Sequence, residues 1–586
     1  MRSIRFSVLC PAVFILFFLL GGSFVAAAET PGEEFLASLG AVSADALLPD
    51  GNRPLHVAAE QAEDPKLVEW LLKNGASPSA VGLEGLTPLM LAAAYNPIPA
   101  VTGALIRGGS ALGARDVSGR TPLHLAAAIN DSPQVMALLL SQGASASVQD
   151  KAGRTPLWMA AARGCAQCVE LLLEAGAPAD TPNREGITPL QAACEHPNAA
   201  VIRLLVEAGA DVDRRDLHRY TPAMRAVAAG TDAEVLRALI LGKADLLAED
   251  DQNRSAIFLA VSNPSISTDV VELLLKNGDI DTRDSGLMTP LMEACRAHNL
   301  PTVRLLLEKG ADPALRDKSG WMAVTFAVMS NAGPELLRLL AGFGASLDME
   351  TRDGITPLML AAHDPAQMEG LKSLISAGAS VNYQNRMGMT ALMAAAVSGN
   401  VPAVRELLVL SADVSLRDWE GMTALAQSVQ AQGDNTEIMK LLIGAGAEVD
   451  TRAEREMTPL MDAALRNCTW AAKVLLPAGA DPAARDFIGW TPLHFAARAR
   501  PEGLAAEAGT ECLAQLLSAI KGSPDLPDNG GTTPLMVAAA SGNAPAVRLL
   551  LEAGADTSRT DRTGRDALGY ARLRNAKDCI PLLEGR

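Results

Sequence analysis

Apolar and polar positions along this chain follow a short cycle that returns many times, and residues 187–216, ITPLQAACEHPNAAVIRLLVEAGADVDRRD, show it clearly. Threonine caps a helix by accepting a hydrogen bond from a free backbone N–H, and proline suits the next place because its φ is already helical. A helix is therefore predicted to start at Pro189. Leu190, Ala193 and Cys194 then fall three and four apart, on one face, and small residues there let a second helix approach closely. His196-Pro197-Asn198 breaks the pattern. A second helix follows, with Val201, Leu204 and Leu205 on its inner face, and it stops at Gly209, which tolerates the left-handed conformation past a helix end. The unit reads helix, turn, helix, loop.

Thr-Pro-Leu recurs with a period of 33 or 34 residues, at Thr87, Thr121, Thr155, Thr188, Thr289, Thr356, Thr458, Thr491 and Thr533. Weaker copies start at Arg53, Thr221, Ser255, Met322, Thr390, Thr423 and Asp566, which makes sixteen. Such regularity means one supersecondary unit copied along the chain, with no stretch left for a conventional catalytic domain. One pair of short helices buries too little apolar surface to fold alone, so stacking must supply the core. Leu pairs of the second helices, among them Leu71-Leu72, Leu305 to Leu307, Leu407-Leu408 and Leu549 to Leu551, are predicted to line that core along a solenoid. Between units lies an Asp with a Gly three residues on, as in Asp116 to Gly119, Asp418 to Gly421 and Asp486 to Gly489, which is tight-turn chemistry.

The whole phrase, D-x-x-G-x-T-P-L-H-x-A-A, then paired Leu, then G-A-D, resembles the ankyrin repeat over residues 53 to 586, and His56, His124 and His494 occupy the histidine place of its T-P-L-H motif. The resemblance implies an all-α repeat solenoid of helix-turn-helix units with β-hairpin fingers. It also implies that those histidines tie neighbouring loops together. The expected division is a signal peptide over 1–28, a capping helix and first loop over 29–52, the array over 53–565 and a C-terminal capping repeat over 566–586. Within it, Glu33 to Ala41 reads as the closing helix at one end and Tyr570 to Glu584 as the closing pair at the other. One copy is long. Thr491 and Thr533 stand 42 residues apart, and the Leu516-Leu517 alignment places the extra length around Arg500 to Ala508, read as loop growth.

Residues 1 to 28 have another grammar: Arg2 and Arg5, the apolar run Phe6 to Leu20, then Ala26-Ala27-Ala28. That is a secretory signal cut after Ala28, with an uncleaved membrane anchor as the competing reading. Export, to a bacterial periplasm or outside the cell, follows as the expectation. A formal charge of −17 argues against nucleic acid as a partner. Aromatic content of 4 % suits small-residue helix packing better than an aromatic-rich cleft.

Seven cysteines remain beyond the signal. Cys165 and Cys168 form C-x-x-C, a pattern open to a redox pair, a disulfide or half a metal site. Repeat alignment argues against all three: Cys168 and Cys579 stand where other copies place Val, Cys165 and Cys468 share a turn position, and Cys194 and Cys295 share the end of a first helix. The favoured reading is small buried hydrophobes. His196, His218, His298 and His363 fall in different repeats without ligand spacing, and Asp211 to Asp216 lacks the glycine and closing Glu of a calcium loop. Gly342-Phe343-Gly344 ends a helix and is no nucleotide loop. No catalytic, cofactor or metal site is expected.

Binding positions in the resembled family are the finger turns and the exposed ends of the first helices. The residue before Thr-Pro runs from Arg120 and Arg154 to Trp321, Met389, Met422, Met457 and Trp490, a change from basic to apolar. Met387, Trp419, Phe487 and Ile488 in nearby turns reinforce it. Aromatic and Met side chains are enriched in interface cores, and packing between adjacent fingers is the alternative for any one of them. The expected function is therefore a non-enzymatic, monomeric scaffold that holds a folded protein over roughly residues 319 to 500. A partner for an envelope enzyme, an inhibitor or immunity partner and a host-directed effector remain open, with a thiol oxidoreductase on Cys165 and Cys168 as the enzyme alternative.

Overall fold

Thr188 accepts the Gln191 N–H at 3.2 Å, and Thr155 and Thr356 do the same for Trp158 and Met359 at 3.1 and 3.2 Å. Each starts a helix with proline in its first turn, Pro189–Ala193, Pro156–Arg163 and Pro357–His363. A second helix follows, as in Ala199–Glu207, and the chain leaves it through Gly209 at φ 84°. The computed structural model describes residues 30–584 except 197, 231, 277, 432 and 499–509. The leader at 1–28 and the insertion at Arg500 to Ala508 lie outside them.

Two compact units divide the chain, one up to Asp251 and one from Gln252 on. The first contains the lone helix Pro31–Ser38 and six helix pairs, from Pro54–Gln61 with Pro65–Lys73 to Pro222–Ala228 with Ala233–Leu241. Among the described residues of the second stand ten pairs, from Ala256–Val261 with Thr268–Leu275 to Ala567–Leu573 with Ile580–Glu584. Inside each unit, first helices pack on the next first helices and second helices on the next second helices. Ala92-Ala93 and Ala395-Ala396 are fully buried at these contacts, where any larger side chain would separate the helices. On the second helix the inner face is Val201, Ile202 and Leu205, all fully buried, whereas Leu204 is half-buried. Only one residue of Leu71-Leu72 and of Leu407-Leu408 is buried as well, because adjacent helical positions stand about 100° apart and the face is narrow.

The fingers differ from the expected β-hairpins. Each is a turn in which the leading residue's N–H donates to the carbonyl four residues on, as from Asp116 to Arg120 at 3.0 Å, and Gly119 N–H donates back to Asp116 at 2.9 Å. One bridging pair is too few for a ladder, and no strand occurs among the described residues. Neighbouring fingers are joined singly: Trp419 N–H donates to Met387 O at 3.0 Å and Asn529 N–H to Ile488 O at 3.0 Å.

Candidate functional site

What holds a finger is the leading Asp or Asn. Asp486 Oδ1 accepts the N–H groups of Ile488 at 3.1 Å and Trp490 at 2.6 Å, and Asn385 Oδ1 those of Met387 and Met389 at 2.9 and 2.8 Å. The Asp486 bonds are charge-assisted and fix the turn more firmly than the neutral ones to Asn385. The turn at Ala453 has no such acceptor. There Arg455 and Glu456 both adopt left-handed φ, 59° and 60°, and Glu456 stands where most fingers put glycine, as Arg219, Asn253 and Leu287 do in theirs. Left-handed backbone costs a side-chain-bearing residue about 1 kcal/mol. Glu456 is held by Arg452 Nη1 at 2.7 Å.

Side chains at the finger bases form a second row of ties. Gln384 Nε2 donates to Arg417 O at 2.8 Å, Arg417 to Arg452 O at 3.0 Å, Arg452 to Arg485 O at 3.1 Å, and Arg485 to Pro527 O at 2.8 Å. Five consecutive fingers of the second unit are thereby fixed in register. The sequence reading did not find this row, whose signal is the long donor placed one residue before the Asp or Asn.

The eight residues singled out from the sequence separate into two sets. Trp419, Phe487 and Met387 stand at finger tips, 74 %, 57 % and 36 % exposed, and Ile488 joins them. Trp321, Met389, Met422, Met457 and Trp490, before the helices, are half-buried or buried. Trp490 is the most enclosed by contacts: its Nε1 donates to Asp528 Oδ2 at 3.1 Å, its ring stacks on His494 and meets Phe495 edge-on, and the Arg498 guanidinium covers it. Trp321 meets Phe326 edge-on at 5.6 Å. Trp321 and Trp490 thus pack against neighbouring side chains. Met422 and Met457 line a groove of about 240 Å³ with Gln430, Arg455 and Asp462. The first unit also shows apolar tips, Leu83, Val117 and Leu217, which the sequence reading passed over as ordinary turn residues.

His56, His124 and His494 tie loops as expected. His124 Nδ1 accepts the Thr121 N–H at 3.1 Å, so its Nε2–H donates to Arg154 O, also at 3.1 Å, in the next finger. Burial pushes all three histidines below their ordinary value, His494 to about 4. Two further residues do the same work unannounced. Gln191 accepts from Thr188 N–H and donates to Tyr220 O at 2.8 Å, and Trp158 Nε1 donates to Ile187 O at 3.1 Å. Asn96, Asn130, Asn299, Asn400 and Asn543 form another tie, each donating from Nδ2 to carbonyls of the preceding repeat.

One cysteine reading is corrected. Cys165 and Cys168 are joined by a disulfide, because the second cysteine lies one helical turn after the first and its N–H reaches Cys165 Sγ at 3.3 Å. Cys168 is buried, as the repeat alignment required. The Cys194 and Cys295 thiols are buried without charge partners close enough to offset desolvation, which drives both far up, and Cys512 is pushed up to about 12. These are inert core groups. No grouping of metal-binding side chains and no helix able to cross a membrane occurs among the described residues.

Stacked helix pairs joined by hydrogen-bonded fingers define the class, a helical repeat scaffold whose exposed chemistry sits on its turns. The chain belongs to the ankyrin repeat family: the family described as ankyrin repeats in three copies matches residues 55–150, 125–216, 223–317, 324–418, 361–453, 407–486, 425–504 and 503–585. It is similar to the B-cell lymphoma 3 protein homolog of Mus musculus, 35% identical over 185 residues, covering 30% of this chain and 39% of that protein. The SH3 and multiple ankyrin repeat domains protein 2 of Homo sapiens is 30% identical over 184 residues, 31% of this chain and 10% of its own length. These two matches thus span well under two thirds of the relatives. The putative ankyrin repeat protein YahD of Escherichia coli strain K12 is 26% identical over 195 residues, 28% of this chain and 94% of its own. Among solved structures, the human ASB11 ankyrin repeat domain is 27% identical and covers 39% of this chain and 99% of that one, with a TM-score of 0.35. Arrays of this family are protein-binding scaffolds, and this chain is one by its fold.

Proposed function

We propose that the scaffold holds a folded protein on the finger strip of residues 385–490, acting as a monomer outside the cytoplasm after removal of residues 1–28. One observation carries the site: Trp419, Phe487, Ile488 and Met387 are presented to solvent on turns that Asp418, Asp486 and Asn385 and the Gln384-to-Arg485 row hold in place. Aromatic, Met and Arg side chains together are the composition of interface cores. Fingers already ordered by hydrogen bonds lose little entropy on docking, which raises affinity for a given area. The apolar leader after Arg2 and Arg5 supports export, and the Cys165–Cys168 disulfide suits an oxidising compartment.

The test is affinity capture by the mature chain and by its Trp419→Ala, Phe487→Ala double variant. Removing two interface anchors should weaken capture about tenfold or more and leave the thermal transition unchanged. Equal capture by both would remove this strip from consideration. Intact mass of the chain recovered from its native source settles export separately, with cleavage after Ala28 as the expected result.

A further inference from the structure

We propose that the Cys165–Cys168 disulfide is an exchange site that oxidises a dithiol of another protein, an activity independent of the finger strip. At the place of Cys165 one other repeat puts Cys468, with Ala471 where Cys168 would stand, and several put asparagine: Asn299 and Asn400 cap the second helix, accepting the N–H of Thr302 at 3.3 Å and of Ala403 at 3.2 Å. The same amide reaches back to Val261 O and Ala362 O of the preceding repeat. Cys165 keeps the cap, taking the Cys168 N–H at 3.3 Å, and gives up the amide that ties the repeats. What it gains is a bond to a residue three positions on, within one turn of the same helix, Ala166–Glu174. A disulfide restrains the unfolded chain less the shorter the loop it closes, and this one spans no repeat boundary. As a staple it is poorly placed.

As an exchange site it is well placed. Cys165 is half-exposed at the start of a nine-residue helix, where the N-terminal N–H groups favour a thiolate, and Cys168 is buried behind it. Asn198 Nδ2 holds Gly164 O at 2.7 Å and Cys165 N–H donates to Ala160 O at 3.1 Å, so the loop stays fixed whichever redox state the pair is in. A thiolate of the substrate protein reaches Cys165 Sγ, not Cys168. The new sulfur–sulfur bond forms there, the Cys165–Cys168 bond breaks, and its electron pair leaves on Cys168 Sγ, which takes a proton. The substrate's second thiolate then attacks its own sulfur in the mixed disulfide. Its disulfide closes and Cys165 departs as a thiolate at the helix start. Two electrons pass from the substrate dithiol to the pair.

The experiment equilibrates the full chain in reduced and oxidised glutathione, then reads the pair by alkylation and mass spectrometry with helical signal and melting followed in parallel. Expected are reversible reduction in the folded chain and, once reduced, alkylation of Cys165 about tenfold or more faster than of Cys168. With oxidised glutathione, Cys168→Ser should gather one adduct mapped to Cys165, and Cys165→Ser should gather none at Cys168. Reduction that unfolds the repeat, or resistance to reduction until the chain is unfolded, would make the bond a structural staple and overturn the proposal. Equal alkylation of the two cysteines would overturn it too.

Discussion

At the third position of the first helix both units use methionine, Met90 and Met224 in the first, but they differ in how often a donor stands there instead. Up to Asp251, His56, His124, Trp158 and Gln191 each send an N–H to a carbonyl of the next finger. From Gln252 on, that position holds Met292, Met359, Met393, Met461 and Met536, together with Phe258, Thr325, Ala426 and Gly569, and His494 is its one cross-finger histidine among the described residues. Methionine sulfur still accepts the threonine N–H, at 3.4 Å for Met292, Met461 and Met536, but has no hydrogen to offer the next finger. In residues 384–527 the row through Arg417, Arg452 and Arg485 ties the finger bases, as Arg115 and Gln149 also do in the first unit by donating to Gln149 O at 2.9 Å and Pro182 O at 3.3 Å. Where the second unit lacks the helix-start donor its helix starts are apolar, and there Met422 and Met457 line a groove. Finger tips differ in parallel: Leu83, Val117 and Leu217 in the first unit are aliphatic, whereas Trp419 and Phe487 in the second are aromatic.

The largest effect expected from breaking this comparison is at acidic pH. His494 is held near pKa 4 against 6.5 when unfolded, so the unfolded chain binds the extra proton and acid favours unfolding. Its contribution, about 3 kcal/mol, is complete above pH 6.5 and lost as pH falls towards 4. Hydrogen exchange of the Asp528 finger should show that slope, and His494→Gln, which keeps both bonds as Gln191 does, should flatten it. Local exchange is the right measure because a repeat array need not unfold in one step.

Next in size is Trp490→Ala, expected to lower stability of its repeat by about 2 kcal/mol by removing packing against His494 and Phe495, while Trp419→Ala stays within about 0.5 kcal/mol. Equal melting shifts for the two would erase the division between packed and presented residues. His124→Met should remove one of the two bonds that Arg154 O accepts, the other coming from the Asp150 N–H, and cost about 1 kcal/mol, with His124→Gln close to neutral, read by exchange at the Asp150 finger. Smallest is Glu456→Gly. It relieves the left-handed φ of 60° and should raise local stability by about 0.5–1 kcal/mol, provided the Arg452 pair contributes less than the strain.

Much of the fold was legible because its signals are local. Thr188 followed by Pro189, and Gly209 after a Leu-rich stretch, act within one turn of helix. The His124 tie was legible only through the family motif. Gln191 and Trp158 do the same job yet were unmarked, since what counts is a donor reaching a carbonyl about 30 residues away, a distance no local pattern encodes. For the same reason Trp490 and Trp419 looked alike in sequence. Each stands in a finger, but one lies four residues after the leading Asp, against the helices, and the other one residue after it, at the tip. The Cys165–Cys168 bond was missed because aligning repeats shows which positions are buried and says nothing of what two sulfurs do when one helical turn brings them together.

The central claim is that the aromatic tips of the second unit meet a partner and the aliphatic tips of the first do not. A photo-cross-linking amino acid placed at position 419, and separately at 217, tests it in the chain's own compartment. The account predicts a discrete protein adduct from 419 and none from 217; adducts of equal yield from both, or from 217 alone, would contradict it.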